Sequence, residues 1–196
     1  MRIDILDPQR WNDLNETYRA ALGIEESSVF VQVYAGYQHA LWETTNALAR
    51  LFSHKKNIAF TPSIEPSLEP LAAEFSEKEY VIENFTADHL KDEKAIASFV
   101  SELLFVVVPQ DDSITGRVFD HSGLDAVLKE KRVFKITLSH AAFRSGKIER
   151  PGLFEVKILS LAPDLAVVVA GERTRLKPLL PSRMDWLNAA TPAKDI

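Results

Sequence analysis

Two unbroken apolar runs, Leu104 to Val108 (Leu-Phe-Val-Val-Val) and Leu165 to Val169 (Leu-Ala-Val-Val-Val), limit the fold of this chain more than any other feature. Neither run alternates apolar with polar residues, so each reads as a strand covered on both faces rather than one face-up to water. Such strands belong to a sheet that has helices above and below it. The segments between them fit that frame. Trp11, Leu14, Tyr18, Ala21 and Leu22 recur at spacings of three and four after Asp7-Pro8 and stop at Gly23, which predicts a helix. Ser28 to Tyr34 is rich in β-branched and aromatic residues and predicts a strand, broken by Gly36.

The alternation then continues. Helices are expected over Ala40 to Phe52, Pro66 to Phe75, Glu93 to Leu103 and Leu124 to Lys131. Strands are expected over Asn57 to Thr61, Tyr80 to Ile82 and Val133 to Leu138, with an edge strand around Phe154 to Leu159. Strands alternating with helices imply crossover units, hence a three-layer α/β/α sandwich around a mostly parallel sheet. A length of 196 residues suits one domain, expected over residues 1–187, with 188–196 as a C-terminal tail. A chain of this size buries about 70% of its surface on folding, enough for a real core.

Charge and composition remove several function classes. Lys and Arg total 23 against 28 Asp and Glu, a formal charge of −5, which disfavours a nucleic-acid binder. Without cysteine there is no disulfide, thiolate nucleophile, iron–sulfur cluster or Cys-type zinc site. Met1-Arg2-Ile3-Asp4 lacks an apolar leader region, and no apolar run nears the roughly 20 residues of a membrane span, so a soluble, cytoplasmic protein is expected. Only 7 glycines are present and none forms a phosphate-cradling loop, which removes the dinucleotide and nucleotide fingerprints.

In an open α/β sheet, ligands bind beyond the carboxyl ends of the strands. The residues that follow the strands are therefore the candidates. They are Gly36-Tyr37-Gln38-His39 at a helix start, Pro109-Gln110-Asp111-Asp112-Ser113-Ile114-Thr115-Gly116, Ser139-His140, and Gly171-Glu172-Arg173-Thr174-Arg175. The order of these segments resembles the large domain of fold-type I pyridoxal-phosphate enzymes, the aspartate aminotransferase superfamily. There a strand runs into an Asn-Pro-Thr-Gly turn and a helix. The next strand ends in an Asp that pairs with the cofactor's pyridine nitrogen. A later strand ends at the Schiff-base Lys, with a phosphate-binding Arg eight residues on. Here Val106-Val107-Val108-Pro109 leads to Ser113-Ile114-Thr115-Gly116, then Val118-Phe119 and the helix around Leu124. Val133 to Leu138 leads to Ser139, and Val167 to Gly171 leads to Arg175, with Arg183-Met184-Asp185-Trp186-Leu187 at the matching distance.

The departures bear directly on the chemistry. By this resemblance Ser113 replaces the turn's Asn, Ser139 the pyridine-pairing Asp and Arg175 the Schiff-base Lys. An imine needs a primary amine able to lose its proton, and a guanidinium with a pKa above about 12 cannot supply one. A hydroxyl at 139 cannot hold a proton on the pyridine nitrogen, which weakens the ring as an electron sink. Lys177, by a shifted register, and Lys147, in the basic loop Arg144 to Gly152, are the amines that would rescue the reaction.

The resemblance with these losses implies an aminotransferase-like pseudoenzyme: a non-catalytic binding or assembly protein, dimeric like the family, with an anion-accepting cleft. Arg175, Arg183, Thr115, His140 and His39 are its ligand-binding candidates. No cofactor is then expected, pyridoxal phosphate held without a Schiff base being the alternative. A divergent pyridoxal-phosphate enzyme is the second reading, and an interaction domain with an empty cleft, presenting the Arg144 to Gly152 loop, is the third. Simpler readings stand beside each candidate. Arg175 and Arg183 also suit a solvated surface. His140 also suits a strand end, and Asp111-Asp112 suits turn chemistry before Thr115-Gly116. Trp11, Trp42 and Trp186 fit core or interface anchors. His54, His89 and His121 have no ligand spacing, so no metal is expected. Ser113, Ser139 and His140 lack a nucleophile elbow and an evident carboxylate to orient the imidazole.

Overall fold

The computed structural model describes residues 8–25, 29–61, 68–84, 102–111, 117–140 and 150–176. In chain order these form α1 (Pro8–Ala21), β1 (Phe30–Tyr34), α2 (Tyr37–Leu51), β2 (Asn57–Phe60), α3 (Glu69–Glu77) and β3 (Val81–Asn84). They continue with β4 (Leu103–Pro109), α4 (Ser122–Lys131), β5 (Phe134–Ser139), β6 (Glu155–Ala162) and β7 (Leu165–Ala170). The expected helix over Glu93 to Leu103 lies outside the described residues except at Glu102, in a turn, and Leu103, which begins β4. The 188–196 tail lies outside them altogether.

All seven strands share one sheet in the order β1-β7-β6-β5-β4-β2-β3. Neighbours from β6 through β3 pair parallel, while β7 pairs antiparallel with both β6 and β1. Six strands thus point one way and β7 the other. This corrects two expectations. The segment expected at a sheet edge, β6, is central, and the run Leu165 to Val169 reverses the sheet's direction. The reason is local: only Pro163 and Asp164 separate β6 from β7, and so short a link makes a hairpin, whereas a parallel return needs a dozen residues or more.

Alternate residues on each strand feed opposite faces. Phe105, Val107, Ile136, Ile158 and Val168 face α2 and α3, meeting Leu41, Leu48 and Phe75 in the larger core. On the other face Val106 and Val108 pack under Leu124 and Leu128 of α4, and Val31, Val33, Val167 and Val169 pack under Tyr18 and Leu22 near α1. Helices on both faces complete the three-layer sandwich. Between the two clusters of that second face, β5 and β6 present Lys135, Thr137, Glu155 and Lys157, and both lysines are buried. The outer edge of the sheet at β1 is closed by a side chain: Asn15 Oδ1 accepts the Val33 N–H at 2.8 Å.

No helix among the described residues is long and apolar enough to cross a membrane.

Candidate functional site

The carboxyl edge of the sheet is assembled from the ends of β1, β4, β5 and β6. β1 runs through Ala35 into Gly36, whose φ of 92° favours glycine and turns the chain into α2. A Cβ on Gly36 would lie 3.2 Å from the Pro163 carbonyl oxygen, so α2 starts hard against the β6–β7 hairpin. Tyr37, the first residue of α2, is buried and its ring meets the His140 imidazole at 4.9 Å between centroids. His140 follows directly on β5, and its backbone N–H donates to Asp111 Oδ1 at 2.9 Å. Ser139 Oγ donates to the other carboxylate oxygen of Asp111 at 3.0 Å. Asp111 itself is 2% exposed and sits just past β4, where it bridges to Val118.

Acid, hydroxyl, imidazole and phenol therefore converge from two strand ends and a helix start. Sequence reasoning singled out Asp111 only to assign it to turn chemistry, because Asp before Ser and Gly also suits an exposed turn. The available signal was its place two residues beyond a wholly apolar strand, as Ser139 and His140 stand at the end of β5. The arrangement is not a catalytic triad. Asp111 takes the Ser139 proton donor directly and the His140 backbone, whereas a triad interposes the imidazole ring between carboxylate and hydroxyl.

His39 lies two residues along α2 from Tyr37 but turns toward α3. Its ring sits 5.5 Å from that of Tyr34, edge to face, and Nε2 lies 3.7 Å from Glu43 Oε1. With Leu71 and Glu74 of α3 it lines a groove of about 340 Å³. Trp42, half-exposed, borders the same groove and donates from its indole nitrogen to Glu74 Oε2 at 2.7 Å, so it anchors α2 on α3 rather than filling the core. Ser113, Thr115, Lys147, Lys177, Arg183, Trp11 and Trp186 lie outside the side chains described.

Arg175 is not at this edge. Because β7 is antiparallel, its end lies beside the starts of β4, β5 and β6, at the amino edge. There Arg175 shares a cavity of about 460 Å³ with Lys55, Arg132 and Arg173. The sequence placed Arg175 beside His140 on the assumption that β7 runs with the rest, and the structure separates them by the length of the sheet. The strand that does end at the carboxyl edge next to the site is β6, followed by Pro163 and Asp164. Among the described residues that edge carries no lysine: Lys55, Lys56, Lys129 and Lys131 flank its opposite end, Lys135 and Lys157 lie within strands, and Lys78 follows α3 and donates to Asn46.

Electrostatic structure is concentrated toward the amino edge. Lys135 Nζ lies 2.6 Å from Asp125 Oδ1 and 3.0 Å from Glu155 Oε1, and Thr137 Oγ1 donates to the same Glu155 oxygen at 2.9 Å. Burial by itself would raise the Glu155 carboxyl, but Lys135, Lys157 and the Gly152 N–H together hold it below the usual range. His121 is 5% exposed, stacks on Phe119 and has no hydrogen-bond partner at either ring nitrogen. Burial, seconded by the Lys135 charge, depresses its pKa. No group of three metal-ligating side chains occurs among the described residues.

No protein-family model and no curated protein sequence matches this chain. Solved structures do. A NifS-like protein superposes with a TM-score of 0.65 at 11% identity, over 87% of this chain and 50% of its own. An aromatic amino acid aminotransferase from Burkholderia cenocepacia gives 0.58 at 12% identity, over 88% and 51%. The Helicobacter pylori aminotransferase of pseudoaminic acid biosynthesis gives 0.59 at 16% identity, over 92% and 48%. The class that these likenesses define is a fold: the open α/β sheet of the large domain of fold-type I pyridoxal-phosphate enzymes. The chain has that fold, and it spans about half the length of the structures it matches.

Proposed function

We propose that this chain is an aminotransferase-like pseudoenzyme, a protein that keeps the fold for binding or assembly and does not itself form an imine with pyridoxal phosphate. One observation carries the reading. The described carboxyl edge offers a carboxylate, a hydroxyl, an imidazole and a phenol but no primary amine, and only an amine condenses with an aldehyde. The start of α2 supports it further, since a helix N-terminus that receives a phosphate needs room at its first turn. Here Tyr37 is packed against His140, and Gly36 against the Pro163 carbonyl. The described residues thus do not fit the cofactor, and no reaction step is assigned to them. Assembly as a homodimer belongs to the same proposal, and sedimentation of the purified chain reads it.

A divergent enzyme is the second reading, and Asp111 favours it: a buried carboxylate lies 3.0 Å from Ser139, the position the resemblance equates with the pyridine-pairing Asp. One experiment separates the two. The protein is mixed with pyridoxal phosphate, reduced with borohydride and mapped for modified lysines. The pseudoenzyme reading expects no imine absorption and no adduct at Lys147 or Lys177. An adduct fixed on either lysine overturns it and locates the missing amine.

A further inference from the structure

The amino edge holds the more open chemistry. Its cavity of about 460 Å³ falls within the size range of small-molecule sites. Its floor is aromatic and comes from three separate segments. Phe52 caps α2, Phe134 begins β5 and Phe154 precedes β6; their rings lie 4.7 Å (Phe52 to Phe134) and 5.8 Å (Phe134 to Phe154) apart. Four cations stand around that floor, Lys55, Arg132, Arg173 and Arg175, and among the described residues no carboxylate lines it. Among the described residues none of the three arginines has an acidic side chain at ion-pair distance. In a chain of net charge −5, that segregation runs against the average composition. Helix dipoles do not explain it: a helix end amounts to about half a negative charge, and of the three arginines only Arg132 caps an α-helix.

The cavity is also held in shape. Gly171 N–H donates to the Glu155 carbonyl at 2.8 Å, and Arg173 N–H to the Leu153 carbonyl at 3.0 Å, tying the strand after β7 to the segment that carries Phe154. Thr174 Oγ1 donates to the Gly171 carbonyl at 2.7 Å. Lys55 Nζ is fixed on the Leu103 carbonyl at 2.9 Å. Arg132 and Arg175 both sit in the left-handed region, at φ 56° and 54°, a conformation that costs a non-glycine residue and that the surrounding structure must hold. An aromatic floor beneath unpaired guanidinium groups suits a flat ring joined to a phosphate: the ring packs on the phenylalanines, and guanidinium forks bind phosphate oxygens in pairs.

We propose that the amino edge is a binding site for a small aromatic phosphate of the nucleoside monophosphate class, its ring on Phe52, Phe134 and Phe154 and its phosphate on Arg132, Arg173 and Arg175. The site is independent of the carboxyl-edge reading and stands whichever way the imine test falls.

Titration calorimetry with adenosine monophosphate, adenosine and inorganic phosphate tests it. The nucleotide is expected to bind at least tenfold more tightly than either fragment, because ring and phosphate act together. The double variant Arg173→Gln/Arg175→Gln changes only exposed side chains, so it is expected to keep its fold and weaken nucleotide binding at least tenfold. His39→Gln, in the first turn of α2 at the opposite edge of the sheet, is expected to leave binding unchanged. No nucleotide binding at millimolar concentration overturns the proposal, as does binding that the double variant leaves intact. Inorganic phosphate binding as tightly as the nucleotide overturns it too, since the aromatic floor would then contribute nothing.

Discussion

The two edges of the sheet are built to opposite plans. At the carboxyl edge the described polar groups crowd together: Asp111 accepts from Ser139 and from the His140 backbone, and the Tyr37 ring packs on His140. At the amino edge, guanidinium groups without an acidic partner among the described residues stand over phenylalanines, and a second cavity of about 570 Å³ shares Arg132, Leu153 and Phe154 with the first. Sheets of this architecture normally bind at the carboxyl edge. Among the described residues the larger cavities and the cationic cluster lie at the other edge, and a fold does not by itself locate a site. The device responsible is β7. By running backward it delivers Gly171 to Arg175 to the edge where the parallel strands begin.

The contrast is tested most strongly beside the amino edge, at Lys135. Replacing it with Met leaves Asp125 and Glu155 without their shared cation, and unfolding in urea is expected to show a loss of about 3 kcal/mol. The double variant Lys135→Met/Glu155→Gln should recover part of that loss, because the orphaned charge goes with its partner. A single-variant cost below about 1 kcal/mol would mean that these residues behave as an ordinary surface pair.

Gly171→Ala comes next. The added methyl would sit 1.9 Å from the Gly152 carbonyl oxygen, a backbone atom that cannot swing aside. A loss of about 1–3 kcal/mol is expected, together with weaker nucleotide binding as the Leu153–Phe154 segment shifts. At the carboxyl edge, Asp111→Ala strands the Ser139 hydroxyl and the His140 N–H, for an expected cost of about 2 kcal/mol. Nucleotide binding should not change in that variant. If it does, the edges communicate and the comparison is wrong.

The smallest effect is a pH slope. The folded state holds His121 below its ordinary pKa, so as pH falls through the unfolded value the unfolded chain takes up a proton that the folded chain refuses. Stability should therefore decline on acidification below about pH 6.5, the ordinary imidazole value, and His121→Phe should flatten that part of the curve. Glu155 adds its own loss at lower pH. Its contribution is complete above the ordinary glutamate value and disappears as the pH falls through its depressed folded value.

Much of the fold was legible in the sequence. The apolar run Leu104 to Val108 became β4, buried along its whole length, and helix spacings located α1 and α4. The order of segments around Ser139 was enough to indicate the fold that the structural likenesses share. The direction of β7 was misread although its signal was present: two residues between apolar runs leave no room for a crossover. Asp111 was half legible, since the strand before it was recognised and only its burial was not. The basic cavity was illegible for a physical reason. Phe52 with Lys55, Arg132, Phe154 and Arg173 come from four distant segments, and no spacing along the chain records that the sheet brings them together.

Asn15 has a consequence of another kind. A border strand with free amides is a template on which a second molecule can lay its own chain, and that is how sheets grow into fibres. By accepting the Val33 N–H, the asparagine removes one rung of that template at β1. The opposite border is β3, four residues long, with Val81 about half exposed. Runaway growth of this sheet is therefore blunted on one flank by a single amide and on the other by brevity, and Asn15→Ala is the change that would reopen the longer flank.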